Sequence, residues 1–431
     1  MKIAIAGYGV EGKANLEYWS KDPSNEITIV DGSMTPTFPI PEGVSSILGP
    51  DAFSQLDGFD LVIRTAGLSP YKIKTDGKVW SATNEFFSKC PAPIIGVTGS
   101  KGKGSTASLI ASILEAAGKK VWLVGNIGEP ALDALAQIEP DHIVVYELSS
   151  FQLWDSEYSP HTAVVLMIER EHLDVHPSME DYVAAKANIV RAQNSDDITI
   201  YFAENTYASQ IGESSAGIKI GYPNELTAHI RDDWFYNGEQ KLCSVDTLTI
   251  QGAHQRLNAV AAINAVWEYT QDADAIAKGL ASFQGLPHRL QVVGVHEGVT
   301  YVDDSIATTP TSAIAALRTF SGPKVLIAGG SHKGSDFSEL AQELLHHDVH
   351  LILIGEEAQT IAEACTRAGF TAFDIIENPT MDMVVQNAKQ HAKPEGSVLL
   401  SPAAASFGLF KNYEDRGNQF IAAVKQLRES S

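Results

Sequence analysis

The chain has 431 residues, of which 44% are apolar or aromatic and 19% are charged, a composition typical of a globular protein with several domains. The formal net charge of −22 argues against nucleic-acid or anionic-membrane partners, because its long-range field repels both. Three widely spaced cysteines predict neither a disulfide nor a zinc framework. Because no apolar run is long enough to span a bilayer, we expect a cytoplasmic protein without membrane insertion.

Strand-like apolar stretches alternate with helical stretches along the chain, which predicts an α/β fold. The first block has strands at "KIAIAG", "EITIVD" and "FDLVIRTAG", then a helix near residues 80–90. The second has "APIIGVTG", a helix from Ser105 to about Ala117, then "KVWLVGN", "HIVVYELSS" and "HTAVVLMIEREHLD". The third has "VTYVDDS", "PKVLIAGG", "VHLILIG" and "SVLLSPAAAS", after a hinge at "GLPHR". We predict three doubly wound Rossmann-like domains, the central one a phosphate-loop ATPase fold, at 1–91, 92–285 and 286–431.

The glycine-rich turn "GYGVEG" follows the first strand and opens a helix, and Asp31 closes the next strand. This spacing is formally a dinucleotide fingerprint, so an NAD-dependent oxidoreductase is one hypothesis. A tight strand-to-helix turn without a ligand explains the same glycines. Glu11 lies inside the turn and would repel a pyrophosphate, which weighs against NAD.

The stretch "GVTGSKGKGST" is a more specific signal. Gly99 and Gly102 free backbone N–H groups to wrap phosphate oxygens, Lys103 adds a cation, and the following helix directs its positive end at them. The usual phosphate loop has its hydroxyl directly after the lysine, but here Gly104 intervenes. We expect an ATP site in which the hydroxyl of Ser105 or Thr106 binds Mg²⁺.

Polar residues follow the neighbouring strands of the same block. Asn126, Glu147 and the pair Glu171–His172 each come at or after the end of a predicted strand. Ligands collect at the carboxyl ends of strands in a parallel sheet, so these side chains are expected beside the phosphate loop. Any one of these residues alone is explained more simply as a surface residue than as a metal ligand. Because they follow neighbouring strands, together they predict an Mg²⁺ site.

The chain resembles the Mur ligases of peptidoglycan synthesis, most closely their glutamate-adding members. The matching stretches cover nearly the whole length and include "GVTGSKGKGST", "GNIGEPAL", "ELSSFQL", "EHLDVHPSMEDYVAAKANI", "GLPHR", "DDSIATTP", "GGSHKGSDF" and "SPAAASFGLFKNYEDRGNQF". The resemblance implies three small-molecule substrates, ATP, glutamate and UDP-N-acetylmuramoyl-L-alanine. It implies that the first domain binds the UDP of the muramoyl substrate, the central domain binds ATP and the third domain binds glutamate. It also implies Mg²⁺, with two sites expected, and a monomer is the expected state.

The resemblance assigns roles residue by residue. It implies that the catalytic residues are Lys103, Glu147, His172 and Lys186. The implied ATP-binding residues are Gly99, Gly102, Lys103, Gly104, Ser105, Thr106, Asn258, Arg289 and Asp304. For the UDP-substrate they are Val10, Glu11, Asp31, Gly32, Ser33, Ala66, Gly67, Asn126, Ser149 and Gln152. For glutamate they are Thr308, Lys333, Ser406, Phe407 and Tyr413. The implied metal ligands are Ser105, Glu147, His172 and Lys186.

The resemblance also implies particular roles for Lys186, for Lys333 and for the segment around Ser406. Lys186 matches a lysine that is carbamylated in relatives, but on an amphipathic helix it is also explained as a solvated surface lysine. Lys333 is expected to face the glutamate side chain, and the amides around Ser406 and Phe407 to bind glutamate with the geometry of a helix start.

The chain departs from the family pattern in three places. Ile306 replaces a lysine, Met167–His172 replaces an Asn-x-x-x-Asp-His run, and the Lys-Gly-Ser-Thr spacing resembles folylpolyglutamate synthases. The alternatives are therefore an L-glutamate-adding variant, a folylpolyglutamate synthase-like ligase or, in a different class, the NAD-dependent oxidoreductase.

Overall fold

The computed structural model describes residues 1–126, 130–173, 175–250, 252–332 and 334–429 of the chain, with side chains up to residue 427. The chain divides into two compact units, residues 1–284 and 285–431.

The first unit begins with a five-stranded parallel sheet in the order β3-β2-β1-β4-β5. Its elements are β1 (Lys2–Ala6), α1 (Val10–Trp19), β2 (Glu26–Asp31), β3 (Ser45–Leu48), β4 (Leu61–Arg64), β5 (Lys78–Ser81) and α2 (Ala82–Lys89). Alternate residues of β1 enter the two apolar clusters on opposite faces, Ile3 and Ile5 in one, Ala4 and Ala6 in the other. Burial on both faces explains why "KIAIA" is continuously apolar.

A second parallel sheet in the same unit has the order β11-β10-β9-β6-β8-β7. Its elements are β6 (Ile94–Thr98), α3 (Lys103–Ala116), β7 (Val121–Gly125), α4 (Ala131–Ala134), β8 (Ile143–Glu147), α5 (Ser150–Leu153), β9 (Thr162–Val165), α6 (Met179–Arg191), β10 (Ile198–Phe202), α7 (Thr206–Ser214) and β11 (Ile218–Tyr222). An antiparallel three-stranded sheet and two helices follow: β12 (Ala228–Arg231), β13 (Trp234–Asn237), β14 (Gln240–Ser244), α8 (Ala253–Val266) and α9 (Ala273–Ser282).

The second unit has a six-stranded sheet in the order β15-β16-β20-β17-β18-β19, parallel except for the β15–β16 pair. Its elements are β15 (Gln291–His296), β16 (Val299–Asp303), α10 (Pro310–Thr319), β17 (Lys324–Gly329), α11 (Ser338–Leu344), β18 (Val349–Ile354), α12 (Ala358–Ala368), β19 (Phe373–Ile376), α13 (Met381–His391), β20 (Ser397–Leu400) and α14 (Tyr413–Glu429). Apolar clusters cover both faces of this sheet.

The predicted α/β class with three Rossmann-like sheets is confirmed. The antiparallel sheet β12–β14 was not expected, and β9 ends at Val165, so that "LMIEREHLD" leaves the strand. The predicted domain boundaries stay predictions. Within the described ranges, no helix has both the length and the apolar character that crossing a membrane requires.

An ion pair between a buried arginine and a partly exposed aspartate joins the first parallel sheet to the segment after α5. The Arg64 side chain is fully buried at the end of β4, and its Nε and Nη2 each donate to Asp155, at 2.6 Å. Nη1 donates to backbone carbonyls of the following loop, at Thr65, Ala66 and Leu68, and Nη2 also donates to the Phe151 carbonyl in α5 at 2.8 Å. The guanidinium therefore holds the loop after β4 against the chain that follows α5.

We expect Asp155→Asn to destabilise the first unit by about 3 kcal/mol or more, because it leaves a buried guanidinium without its counter-charge. Urea unfolding of the full chain measures the change. The control is Glu157→Gln, which removes an exposed ion pair with Lys78 between the first sheet and the same segment and should cost less than about 1 kcal/mol. Equal losses in the two variants would contradict this role of Arg64.

Candidate active site

The glycine-rich loop lies between β6 and α3 and requires glycine at two points. Gly99 has φ +155° and Gly102 has φ +86°, both in the region that L side chains rarely adopt. A Cβ at Gly102 would lie 2.6 Å from Oδ1 of Asn258, on α8. Helix α3 begins at Lys103, two residues earlier than predicted, so its first N–H groups belong to the loop.

Two lysine side chains converge on this loop. Nζ of Lys103 donates to the carbonyl oxygens of Gly99, at 3.1 Å, and Ser100, at 2.8 Å. Nζ of Lys186, from α6, donates to the same Gly99 oxygen at 2.8 Å and to Oγ1 of Thr98 at 3.4 Å. Two lysine amines thus share one carbonyl at the amino-terminal end of a helix, an arrangement suited to anions.

Lys186 is not the solvated surface lysine that its helical pattern also allowed. The residue is 1% exposed, and its Nζ lies 4.7 Å from the centre of the Tyr182 ring. Burial, followed by repulsion from Lys103, holds the pKa of the Lys186 amine well below its ordinary value, although Glu171 and Glu147 oppose the shift. The neutral amine is therefore more populated at Lys186 than at an exposed lysine.

The strand order brings the expected polar residues to one edge of the sheet. Strand β6 lies between β8 and β9, and β7 pairs with β8. Glu147 ends β8 and is buried, and Nδ2 of Asn126, after β7, donates to its Oε1 at 3.3 Å. His172 follows β9 with a positive φ of 56°, and its Nε2 lies 3.9 Å from a Glu171 oxygen.

The residues at this edge fit a nucleotide phosphate and a hard metal ion. Oγ1 of Thr106 is buried and has no hydrogen-bond partner among the described residues, and the Ser105 side chain one position earlier is buried as well. An unsatisfied hydroxyl in the first turn of α3 suits a phosphate oxygen or a metal-bound water. The carboxylate of Glu147 adds the oxygen donor that Mg²⁺ prefers.

The candidate residues for the UDP-substrate lie in turns after three neighbouring strands of the first sheet. Asp31 accepts hydrogen bonds from the backbone N–H groups of Tyr8, at 2.7 Å, and Ser33, at 2.8 Å, and so joins the turns after β1 and β2. Glu11 accepts from the N–H of Ala66, after β4, at 2.8 Å, and burial raises its pKa. Gly32 and Gly67 lie in the turns after β2 and β4, and Val10, which is 73% exposed, begins α1 directly after the turn that follows β1.

Ser149 and Gln152 have a structural role beside any contact with substrate. They form a capping box at the start of α5: Oγ of Ser149 accepts from the Gln152 N–H at 3.2 Å, and the Ser149 N–H donates to Oε1 of Gln152 at 2.9 Å. The sequence "ELSSFQL" contains this signature, which the prediction of a substrate contact passed over.

In the second unit Asp304 lies directly after β16, next to the hinge stretch. Its Oδ1 accepts from the Leu290 N–H at 3.1 Å and its Oδ2 from Oγ of Ser401 at 2.7 Å. Burial raises the pKa of Asp304 to about 6, against those hydrogen bonds and the opposing charge of Arg289. Arg289 itself is exposed.

The candidate glutamate residues are only partly described. Ser406 is buried, Phe407 is 59% exposed, and the Tyr413 carbonyl accepts from Oγ of Ser305 at 2.7 Å. The segment after Ser406 forms a single turn, which is closed by a hydrogen bond from the Phe410 N–H to the Ser406 carbonyl at 3.1 Å, and α14 begins at Tyr413. Binding of glutamate by the amides around Ser406 and Phe407 stays a prediction. Thr308 is half-buried before α10. Lys333 lies outside the described residues.

Tyr182 and Arg416 hold segments of the candidate site in place, and the sequence did not predict either of them. The Tyr182 hydroxyl lies 2.9 Å from Oγ of Ser100 in the phosphate loop and donates to Glu171 at 3.3 Å. Its place four residues before Lys186, on one helix face, is the signal that could have found it. Arg416 is fully buried and donates to Ser305 and Ala404, which no local pattern indicated.

Fold and site together define a phosphate-loop enzyme built on Rossmann-like sheets. Family models for the Mur ligase middle domain and the Mur ligase glutamate ligase domain match residues 97–266 and 288–404. The chain belongs to the Mur ligase family, and is an ATP-dependent, ADP-forming acid–amino-acid ligase.

Individual relatives agree with this assignment. A protein of Clostridium tetani named UDP-N-acetylmuramoylalanine–D-glutamate ligase is 34% identical over 99% of this chain and 97% of its own length. A protein of that name from Symbiobacterium thermophilum is 36% identical over 89% and 88%. The fold is similar to that of UDP-N-acetylmuramate-alanine ligase MurC of Thermotoga maritima, with TM-score 0.61, 19% identity and full coverage of both chains. It is also similar to MurF of Thermotoga maritima in complex with ADP, with TM-score 0.58, 16% identity and coverage of 100% and 95%.

The raised pKa of Asp304 predicts how stability depends on pH. A folded-state pKa of about 6 above the ordinary 3.8 means that the folded state binds more protons between these values, so its stability falls as pH rises through that window. Asp304→Asn removes this titration. We expect the free energy of unfolding of the variant, relative to that of the wild type, to rise by up to about 3 kcal/mol between about pH 4 and pH 7, as measured by urea unfolding. A difference that stays constant over this range would contradict the assignment.

Proposed function

We propose that this enzyme joins the amino group of D-glutamate to the alanine carboxylate of UDP-N-acetylmuramoyl-L-alanine, with ATP converted to ADP and phosphate, in peptidoglycan precursor synthesis. The observation that carries the proposal is the similarity, over 99% of this chain, to a protein named as a D-glutamate ligase. Within this chain, Lys103 of the phosphate loop and Lys186 meet at the Gly99 carbonyl oxygen, which supports a phosphate site there. We place the reaction in the cytoplasm and assign it to a monomer.

The chemistry follows from the poor electrophilicity of a carboxylate. Transfer of the γ-phosphoryl group of ATP to a carboxylate oxygen forms an acyl phosphate and releases ADP. The glutamate amine then attacks the acyl carbon, a tetrahedral intermediate collapses, phosphate leaves with the C–O bond electrons, and the amine loses a proton. The loop N–H groups and Lys103 stabilise charge on the transferring phosphoryl group.

Ser105, Glu147 and His172 would hold Mg²⁺ at the first site, and a carbamylated Lys186 would contribute to the second. When bound, the metal supplies positive charge that offsets the charge of the phosphate oxygens. Asn258, Arg289 and Asp304 would bind the remainder of ATP. The three joined turns after β1, β2 and β4 would bind the uridine diphosphate, and we extend this UDP-substrate site to Asn126, Ser149 and Gln152.

For glutamate we propose Thr308, Ser406, Phe407 and Tyr413, together with Lys333. The name of the matching C-terminal family model, a glutamate ligase domain, supports this region. The D configuration rests on the names of the relatives. A folylpolyglutamate synthase-like activity is the second candidate, favoured by the Lys103-Gly104-Ser105 spacing alone.

The test is ADP release in the presence of ATP and Mg²⁺, with each substrate omitted in turn. We expect release to require both UDP-N-acetylmuramoyl-L-alanine and D-glutamate. Parallel reactions replace D-glutamate with L-glutamate, or the muramoyl acceptor with dihydrofolate and L-glutamate. Equal or faster release with L-glutamate would reject the D configuration, and release only with the folate acceptor would reject the muramoyl substrate.

Lys103→Ala removes the cation beside the phosphates but keeps the loop backbone. We expect kcat to fall by at least about a hundredfold, the scale of losing one donor that acts on charge in the transition state. The matched control is Lys101→Ala, two residues earlier, because that ammonium is exposed and pairs only loosely with Glu169 at 3.6 Å. Its kcat should stay within about threefold of wild type. Similar losses in both variants would contradict a specific role for Lys103.

Carbamylation of Lys186 predicts dependence on CO₂. The neutral amine, favoured by the lowered pKa, attacks CO₂ and loses a proton, which gives an anionic oxygen donor suited to Mg²⁺. We expect activity to fall in CO₂-depleted buffer and to return with bicarbonate, as measured by ADP release. Lys186→Ala should be nearly inactive.

Acetate provides the control for this prediction. A small carboxylate that enters the space left in Lys186→Ala should restore part of the activity, and that restored activity should not respond to bicarbonate. Full activity of Lys186→Ala, or an unmodified Lys186 amine in an electron-density map of the metal-bound enzyme, would reject the carbamate.

A further inference from the structure

A buried histidine, His176, joins two helices that lie beside the candidate active site. Its Nε2 lies 3.0 Å from Oγ of Ser150, the first residue of α5, and its Nδ1 lies 2.6 Å from Oδ2 of Asp181, in the first turn of α6. Helix α5 begins three residues after Glu147, and α6 carries Lys186. The His176 side chain is 0% exposed, so both contacts are made away from solvent.

The two hydrogen bonds fix the orientation of the His176 ring. Burial raises the pKa of Asp181, but the hydrogen bonds from Tyr71 and His176 outweigh it and hold that pKa below its ordinary value. An ionised carboxylate only accepts hydrogen bonds, so Nδ1 of His176 carries a proton, and Nε2 of the neutral ring accepts from the Ser150 hydroxyl. The Trp154 ring lies against the same imidazole, with centroids 3.9 Å apart. The ring cannot turn without losing a hydrogen bond.

The contacts among Ser150, His176 and Asp181 have the distances of a nucleophilic triad. In such a triad an aspartate orients a histidine, which takes a proton from a serine. A nucleophile must reach its substrate, however, and Ser150 is only 2% exposed. The same contacts are therefore suited to holding a ring in place rather than to activating a hydroxyl.

His176 supports the turn that begins at His172. The His172 backbone has a φ of 56°, which is uncommon for residues other than glycine and needs support from its surroundings. The His176 N–H donates to the His172 carbonyl at 2.9 Å and closes this turn. Both imidazoles also contact the Phe151 ring, whose centroid lies 5.4 Å from that of His176 and 4.9 Å from that of His172. The His172 side chain is 44% exposed, so solvent leaves it room to move, and these contacts restrict it.

We propose that His176 is a positioning residue that holds the His172 imidazole in the place from which it would bind Mg²⁺. The bonds to Ser150 and Asp181 fix His176 relative to α5 and α6. The closed turn and the Phe151 ring then fix His172 relative to His176. This inference rests on the metal-binding role proposed for His172, but not on which acceptor or amino acid the ligase uses.

The test compares substitutions in the full-length chain. His176→Phe keeps an aromatic ring of similar size but removes both side-chain hydrogen bonds, and His176→Asn keeps a donor in place of Nδ1. The matched control is His142→Phe. His142 is also buried, and its Nδ1 accepts from Nε1 of Trp122 and from the Glu139 N–H, both at 3.0 Å. It lies directly before β8, at the end of the sheet opposite the phosphate loop.

The first readout is Mn²⁺ binding in the presence of ADP, followed by the electron paramagnetic resonance signal of free Mn²⁺. We expect the dissociation constant to rise at least about tenfold in His176→Phe, the scale of losing a residue that orients a metal ligand, and to rise less in His176→Asn. His142→Phe should stay within about threefold of the wild type. Circular dichroism selects a temperature at which every variant is folded, so that lost stability does not imitate lost binding.

A double variant separates the positioning of His172 from a general loss of structure. When His176 acts through His172, adding His176→Phe to His172→Ala should weaken Mn²⁺ binding by less than about threefold beyond His172→Ala alone. In the ligation reaction, kcat of His176→Phe should fall at least about tenfold. Its KM for glutamate should stay within about threefold of the wild type, because the candidate glutamate residues lie in the second unit.

Mn²⁺ affinity of His176→Phe within threefold of the wild type would overturn the proposal. An equal loss in His142→Phe, a further tenfold loss in the double variant, or unchanged binding in His172→Ala would overturn it as well. Failure of the proposed substrates gives a different result. The wild type would then release no ADP with the muramoyl acceptor, while the expected Mn²⁺ results with ADP would still support the role of His176.

Discussion

The carbonyl oxygen of Gly99 accepts hydrogen bonds from both Lys103 and Lys186, and the arrangement of the site depends on this crowded point. Burial and mutual repulsion make two free ammonium groups unfavourable there, which the lowered pKa of Lys186 reflects. An anion would offset this repulsion. It could be a phosphate beside Lys103 or a carbamate formed on Lys186. The arrangement of the two lysines around the Gly99 carbonyl is therefore suited to negative charge.

The remainder of the first unit holds this point in position. Gly102 permits contact with Asn258 of α8, and Tyr182 joins the loop at Ser100 to Glu171. Further along, the His176 side chain is fully buried, and its Nδ1 lies 2.6 Å from Oδ2 of Asp181. The other oxygen of Asp181, Oδ1, accepts a hydrogen bond from the Tyr71 hydroxyl. The helix that carries Lys186 is thus anchored near its beginning to the connection between β4 and β5, in the sheet region proposed to bind the UDP-substrate.

The part of the site that depends on local residue patterns and strand order could be predicted from the sequence. The phosphate loop, the strands around it and the meeting of Asn126 with Glu147 follow from glycine spacing and parallel strand order. Long-range packing decided the rest. Helical periodicity could not tell a buried Lys186 from a solvated one, and no local pattern indicated Arg416, or that α14 begins only at Tyr413. Asp304 has a raised pKa only because the fold buries it.

The most direct test of the proposed chemistry follows the oxygen atoms. UDP-N-acetylmuramoyl-L-alanine is prepared with a heavy oxygen isotope in its alanine carboxylate, and the phosphate released in a complete reaction is examined by mass spectrometry. An acyl phosphate formed beside Lys103 predicts that each phosphate carries one labelled oxygen, since the oxygen that receives the phosphoryl group leaves with it. Phosphate without label, while ADP and the amide product form normally, would contradict the account.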